Sequence, residues 1–118
     1  MNTRAIGKTA EDQVTHYLEE CGMTILARNY AIRSGEIDII ARDGAYFVFI
    51  EVKSRSYTDY GQPSEAVTRA KQKRIMRAAE IWLVKNDCFD ELVRFDVVEV
   101  LNGRITHWPD AFQGGRQR

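Results

Sequence analysis

Cysteine and proline are each nearly missing from this 118-residue chain, at two residues apiece. The cysteines, Cys21 and Cys88, lie far apart with no CxxC spacing. That excludes a disulfide-stapled scaffold and a zinc-ribbon site, and leaves reduced cysteines used for packing. Net charge is also missing, since seventeen basic residues balance seventeen acidic ones. Overall charge therefore says nothing about a nucleic-acid partner, and the distribution of charge has to decide. No stretch approaches the roughly 20 apolar residues of a membrane span. Met1 to Ala5 carries no apolar signal segment, so the expectation is a cytoplasmic protein with no membrane partner. The two histidines, His16 and His107, stand isolated and take no role in this reading. There is no repeat, low-complexity tract or interdomain linker.

What remains has the composition of an ordinary soluble domain, 44% hydrophobic and 29% charged. Asn2 or Thr3 can cap a first helix running to about Cys21, with Gly22 ending it and a stripe of Ala10, Val14, Tyr17, Leu18 and Cys21 facing inward. Strands are predicted over 23–32, 35–41, 46–53 and 93–101, from their Ile, Val, Phe and Tyr content. A second helix is predicted over 63–86, opened by Pro63 and lined inside by Val67, Ala70, Ile75, Ala78, Ala79 and Trp82. Asn102-Gly103 predicts a short hairpin return over 104–108. The order α-β-β-β-α-β implies one α/β domain over residues 1–108 with a mixed sheet flanked by helices, and a loose tail over 109–118.

Three charged residues sit inside the two most apolar strands: Asp38 in 35–41, and Glu51 and Lys53 in 46–53. Burying such groups costs several kcal/mol unless they are paired or bind metal. Alternation along a strand puts Glu51 and Lys53 on one face. The link Arg42-Asp43-Gly44-Ala45 predicts a tight hairpin. A loop of Asp43-Gly44 sets Asp38 opposite Phe49 and diagonal to Glu51; a loop of Gly44-Ala45 sets Asp38 directly opposite Glu51. Either keeps all three on one face, whereas a three-residue loop would turn Asp38 away.

Two carboxylates with a strand carbonyl form an oxygen site suited to Mg²⁺ or Mn²⁺ rather than zinc. A lysine on the same face can orient an attacking water or offset charge on a phosphate. Together these suit phosphodiester hydrolysis; the alternative is an exposed strand face with a plain Glu-Lys pair. Glu11 rides the edge of the first helix's inward stripe, and spacing leaves it either as another acid for the site or as a partner of a nearby base such as Lys8. Glu36 shares a face with Asp38 but reads better as a solvated strand-start residue. On the second helix Arg69, Lys71, Lys73, Arg74 and Arg77 fall within nine residues without an acid. That run reads as a phosphate-gripping face, the alternative being a solvated surface. Arg55 and Tyr57 extend it, and Gln72 is a polar group that would face the site. Arg94 and Asp96 read as a structural salt bridge.

These residues resemble a known family. Gly7 and Glu11, Ala27-Arg28-Asn29-Tyr30, Gly35-Glu36-Ile37-Asp38, Phe49 to Arg55, Ala66-Val67 ahead of Lys71-Gln72, and Arg94 to Val98 look like the bacterial YraN family. The resemblance spans about residues 4–101. That family is similar to the PD-(D/E)xK nuclease superfamily and to archaeal Holliday-junction resolvases. Asp38, Glu51 and Lys53 match its D…ExK motif, with Ile37 replacing the proline that precedes the aspartate. Glu11 matches the acid on its first helix. The resemblance implies a restriction-endonuclease-like fold and an endonuclease acting on DNA, with branched DNA among the candidate substrates. It implies Mg²⁺ held by Asp38 and Glu51 with help from Glu11, and Lys53 near the attacking water. A nucleic-acid-binding module that keeps the fold without cutting is the alternative. Related resolvases act as dimers, so a homodimer is a further expectation, with Phe89, Leu92 and Trp108 as either interface or internal packing.

Overall fold

The computed structural model describes residues 3–55 and 67–113, with side chains from residue 9 onward. In order come α1 (Thr3–Glu20), β1 (Thr24–Ile32), β2 (Gly35–Asp43), β3 (Tyr46–Arg55), α2 (Arg69–Lys85), β4 (Leu92–Leu101) and β5 (Arg104–Phe112). The α/β order is the expected one with β5 added as a full strand. The sheet order is β1-β2-β3-β4-β5. Only β3 and β4 run parallel, joined by the crossover that contains α2; the other neighbours are antiparallel. The sheet is therefore mixed.

One helix covers each face. On α1, Ala10, Val14 and Leu18 pack with Ile39, Ala41, Val48, Ile50, Val98 and Val100. On α2, Ile75, Ala78, Ala79 and Leu83 pack with Ile37, Ile40, Phe47, Phe49, Phe95 and Val97. Because both faces are covered, β3 is buried from Phe47 to Glu51. Each fully buried large side chain here, such as Phe49, contributes about 1.5–3 kcal/mol.

The ends of the elements follow local chemistry. Gly22, at φ 94°, takes the left-handed position after α1. Its N–H donates to the Glu19 carbonyl and that of Met23 to the Leu18 carbonyl, both at 3.0 Å, a paired closure that glycine permits. The helix thus stops before Cys21, which is exposed rather than part of the inward stripe. Thr68 caps α2, its hydroxyl accepting the Lys71 N–H at 3.1 Å. The expected start at Pro63 lies outside the described residues, as does Tyr57. Ala70, expected on the inner side of α2, is exposed, and Leu83 fills the inner face instead. Gly35 lets β2 pass close to α2, since a Cβ there would stand 2.6 Å from the Arg74 carbonyl oxygen.

The chain over 109–112 is strand and not loose tail. Phe112 is buried and stacks on Phe95 at 5.2 Å between ring centres. Pro109 and Asp110 open the stretch expected to be loose. They sit instead at an irregularity between the Phe95↔Phe112 and Val97↔Trp108 pairings, on an edge strand that tolerates a missing donor. Asp110 has φ 53°, and its freed N–H donates to Asp96 Oδ1 at 2.9 Å. No described helix is long and apolar enough to cross a membrane.

Candidate functional site

The hairpin settles the register. Asp43 pairs with Tyr46, so the loop is Gly44-Ala45, and pairing runs back to Ile39↔Ile50. The next position places Asp38 against Glu51, the second of the two geometries expected for a two-residue loop. There the ladder changes character: Asp38 Oδ2 accepts the Val52 N–H at 2.8 Å. The Asp38 side chain thus fills a slot in the sheet and turns its carboxyl toward Glu51. Burial first, and then the Glu51 charge, push the Asp38 carboxyl up to about 7, so this pair holds a proton at mildly acid pH.

Glu51 is itself buried, and two ammonium groups meet one of its oxygens. Lys53 Nζ lies 3.9 Å from Oε2. Lys71 Nζ makes a closer ion pair with the same Oε2. Lys53 is pulled below its ordinary value by burial and by the like charge of Lys71. Lys71 is pushed down by burial, but the Glu51 carboxylate more than offsets this and raises it. Neutralising Glu51 takes Lys71 away from the solvated face of α2, where the run of basic residues placed it. The helix start expected at residue 63 concealed this, because it placed Lys71 in the helix interior. Lys71 lies in the first turn of a helix with no acid there, where the helix dipole disfavours a cation by about 0.3–1 kcal/mol.

Glu11 does not join this group. It belongs to α1, on the other face of the sheet, and is buried against Arg28 and Asn29. Arg28 Nε donates to Glu11 Oε1 at 2.9 Å, and Asn29 Nδ2 donates to the same oxygen at 3.0 Å. Asn29 has φ 55° and lies between the Arg28↔Ile39 and Tyr30↔Ile37 pairings, beside Asp38 in the register. Glu11 therefore clamps the β1 position next to Asp38 instead of standing with the other carboxylates. Among the described residues, no group of three or more His, Cys, Asp or Glu is gathered at metal-holding distance. Asp38 and Glu51 alone still fit a hard cation such as Mg²⁺. Such an ion keeps several waters and takes one or two carboxylates plus phosphate oxygens.

The remaining candidates divide. Arg69, Lys73, Arg74 and Arg77 are exposed along α2. Gln72 turns inward at the helix start, its amide donating to the Val67 carbonyl at 3.0 Å. Arg55 Nε lies 3.2 Å from Glu99 Oε1, with Glu99 buried and Arg55 half-buried. Glu36 is exposed, as a strand-start residue should be. Glu99 was not singled out from the sequence. It is an acid in the apolar run Val97-Val98-Glu99-Val100, the same pattern that marked Asp38 and Glu51, and it pairs in register with Lys53.

A second polar cluster lies on the α1 face. Asp96 is fully buried and takes two bonds from Arg94, Nε to Oδ1 at 2.9 Å and Nη2 to Oδ2 at 3.0 Å, the structural salt bridge expected. His107 Nε2 lies 2.7 Å from Asp96 Oδ2, and His107 Nδ1 lies 2.9 Å from the Tyr17 hydroxyl. A carboxylate only accepts, so Nε2 carries the proton, and in a neutral ring Nδ1 accepts from Tyr17. Burial pushes Asp96 upward, but the bonds from His107, Arg94 and the Asp110 N–H hold it below the ordinary carboxylate value. His107 thus has a structural role that its isolation in the sequence concealed.

Comparison with known proteins supplies the kinship. The model of a family described as "Uncharacterised protein family UPF0102" matches residues 10–100. A UPF0102 protein of Persephonella marina is 42% identical over 106 residues, covering 90% of this chain and 91% of its own length. One from Geobacter metallireducens is 43% identical over 117 residues, covering 96% of each chain. One from Rhodococcus opacus is 45% identical over 113 residues, covering 92% of this chain and 96% of its own. A match of this extent, across α1, the Asp38–Glu51 hairpin and α2, leaves one conclusion: the chain belongs to the UPF0102 family, the YraN family that its motifs resemble.

Proposed function

We propose that this protein is a metal-dependent endonuclease-like phosphodiester hydrolase acting on DNA, with branched DNA among its substrates. The observation that carries this reading is the meeting of Asp38, Glu51 and Lys53 where the β2–β3 ladder ends, beside the basic first turns of α2. Asp38 and Glu51 would hold Mg²⁺ or Mn²⁺. A bound ion there lowers the pKa of water and offsets charge developing on the phosphate. The chain's own groups do the rest. Val52 N–H fixes the Asp38 carboxyl. Lys53, its proton loosened by burial and by Lys71, is suited to exchange a proton with an attacking water. The exposed Arg69, Lys73, Arg74 and Arg77 supply the salt-sensitive grip on the phosphate backbone. Incubation with linear, flapped and four-way DNA and either metal tests the proposal, with cutting expected and EDTA expected to stop it.

A second reading is a binding module of the same fold that does not cut. It is favoured by the Lys71–Glu51 ion pair, which places a cation on the carboxylate that a metal would need. Salt-sensitive DNA binding without cutting in either metal would select it.

A further inference from the structure

Lys71 occupies an unusual place. It sits in the first turn of α2, among residues whose neighbours Arg69 and Lys73 are exposed, yet its ammonium is turned to Glu51 Oε2. Lys53 approaches the same oxygen at 3.9 Å. Asp38 Oδ2 is meanwhile engaged by the Val52 N–H. A divalent cation at Asp38 and Glu51 therefore meets an ammonium already on its ligand. Two cations on one carboxylate oxygen repel at short range, so the more mobile one leaves. Lys53 is fixed by its strand and has 24% side-chain exposure; Lys71, at 37%, has solvent on one side and the basic run of α2 beside it.

Resting on the metal-dependent reading above, we infer that Lys71 is a built-in competitor of the metal. It neutralises Glu51 when no metal is bound, and a bound metal displaces it toward the phosphates of DNA lying along α2. Lys71 is thus a positioning residue that links the two binding events: metal releases a cation for the nucleic acid, and by reciprocity nucleic acid tightens metal binding. Without DNA the site stays neutral and holds metal weakly.

The test is Mn²⁺ binding to the full chain by calorimetry in the absence of DNA. Wild type is compared with Lys71→Met and with Lys73→Met, which removes an equal charge from the exposed face. Circular dichroism checks that each variant is folded. Lys71→Met is expected to bind Mn²⁺ about tenfold more tightly, as loss of a close competing charge implies. Lys73→Met is expected to stay near wild type. In a second arm, Ca²⁺ is expected to strengthen duplex binding by wild type and to do so much less in Lys71→Met. Equal Mn²⁺ affinity in wild type and Lys71→Met overturns this inference alone, as does equal tightening in both variants. Absence of Mn²⁺ binding in every protein overturns it together with the metal-dependent reading.

Discussion

Asp38→Asn should stabilise the metal-free protein at alkaline pH. In the fold the Asp38 carboxyl titrates near 7 instead of 3.8, because burial and Glu51 both oppose its charge. The folded chain thus binds a proton more tightly than the unfolded one. Stability from this group is fully present below pH 3.8 and is lost as pH rises through about 7. The difference between 3.8 and about 7 corresponds to an upper bound near 4 kcal/mol, and partial solvent access brings the expectation to about 2–3 kcal/mol. Asparagine keeps the shape of the protonated acid. Its carbonyl can accept the Val52 N–H and its amide can donate to Glu51. Urea unfolding in EDTA at pH 5 and pH 8 is the assay. The variant should exceed wild type at pH 8 by about 1–2 M in midpoint for a urea slope near 2 kcal/mol/M, and by less than half as much at pH 5, since the loss in wild type begins above pH 3.8. Mg²⁺ should narrow the gap at pH 8 by stabilising only wild type. A variant no more stable at pH 8, or a gap independent of pH, would refute the account of this carboxyl.

Two other perturbations address the α1-side cluster and the basic face. Asp96→Asn strands Arg94 and His107 in a buried setting and should cost about 3–5 kcal/mol at pH 7. Since Asp96 is held below its ordinary value, the difference from wild type should shrink as pH falls below 3.8 in urea titrations. The double variant Lys73→Ala with Arg74→Ala should weaken duplex binding at low salt. It should also reduce the slope of log affinity against log salt by about 1.8 in fluorescence anisotropy, two phosphate contacts being removed.

The site was legible where charge interrupts apolar strands. Strand alternation and hairpin length were enough to bring Asp38, Glu51 and Lys53 together, because a two-residue loop leaves few registers. What escaped the sequence depends on contacts between distant elements. Glu11 lies on the inward edge of α1, but which face α1 covers is a matter of topology, and it covers the face opposite α2. Lys71 read as one of five surface cations, since a period of 3.6 does not say how far a long side chain will turn back. His107 gained partners only when β5 brought it to Asp96 and Tyr17. The strand itself was cut short in prediction at Pro109, because an edge-strand bulge and a loop share the same residue types.

Asp38, Glu51 and Lys53 are proposed to form a working metal-dependent site. The most direct test is a cleavage panel of linear, flapped and four-way DNA with Mg²⁺ and with Mn²⁺, comparing wild type with Glu51→Ala. The account predicts cutting by wild type, none in EDTA, and a loss of at least about a hundredfold in Glu51→Ala, the scale of removing a principal charge-stabilising group. Wild type that cuts none of these substrates with either metal, or Glu51→Ala that cuts as fast, would contradict it.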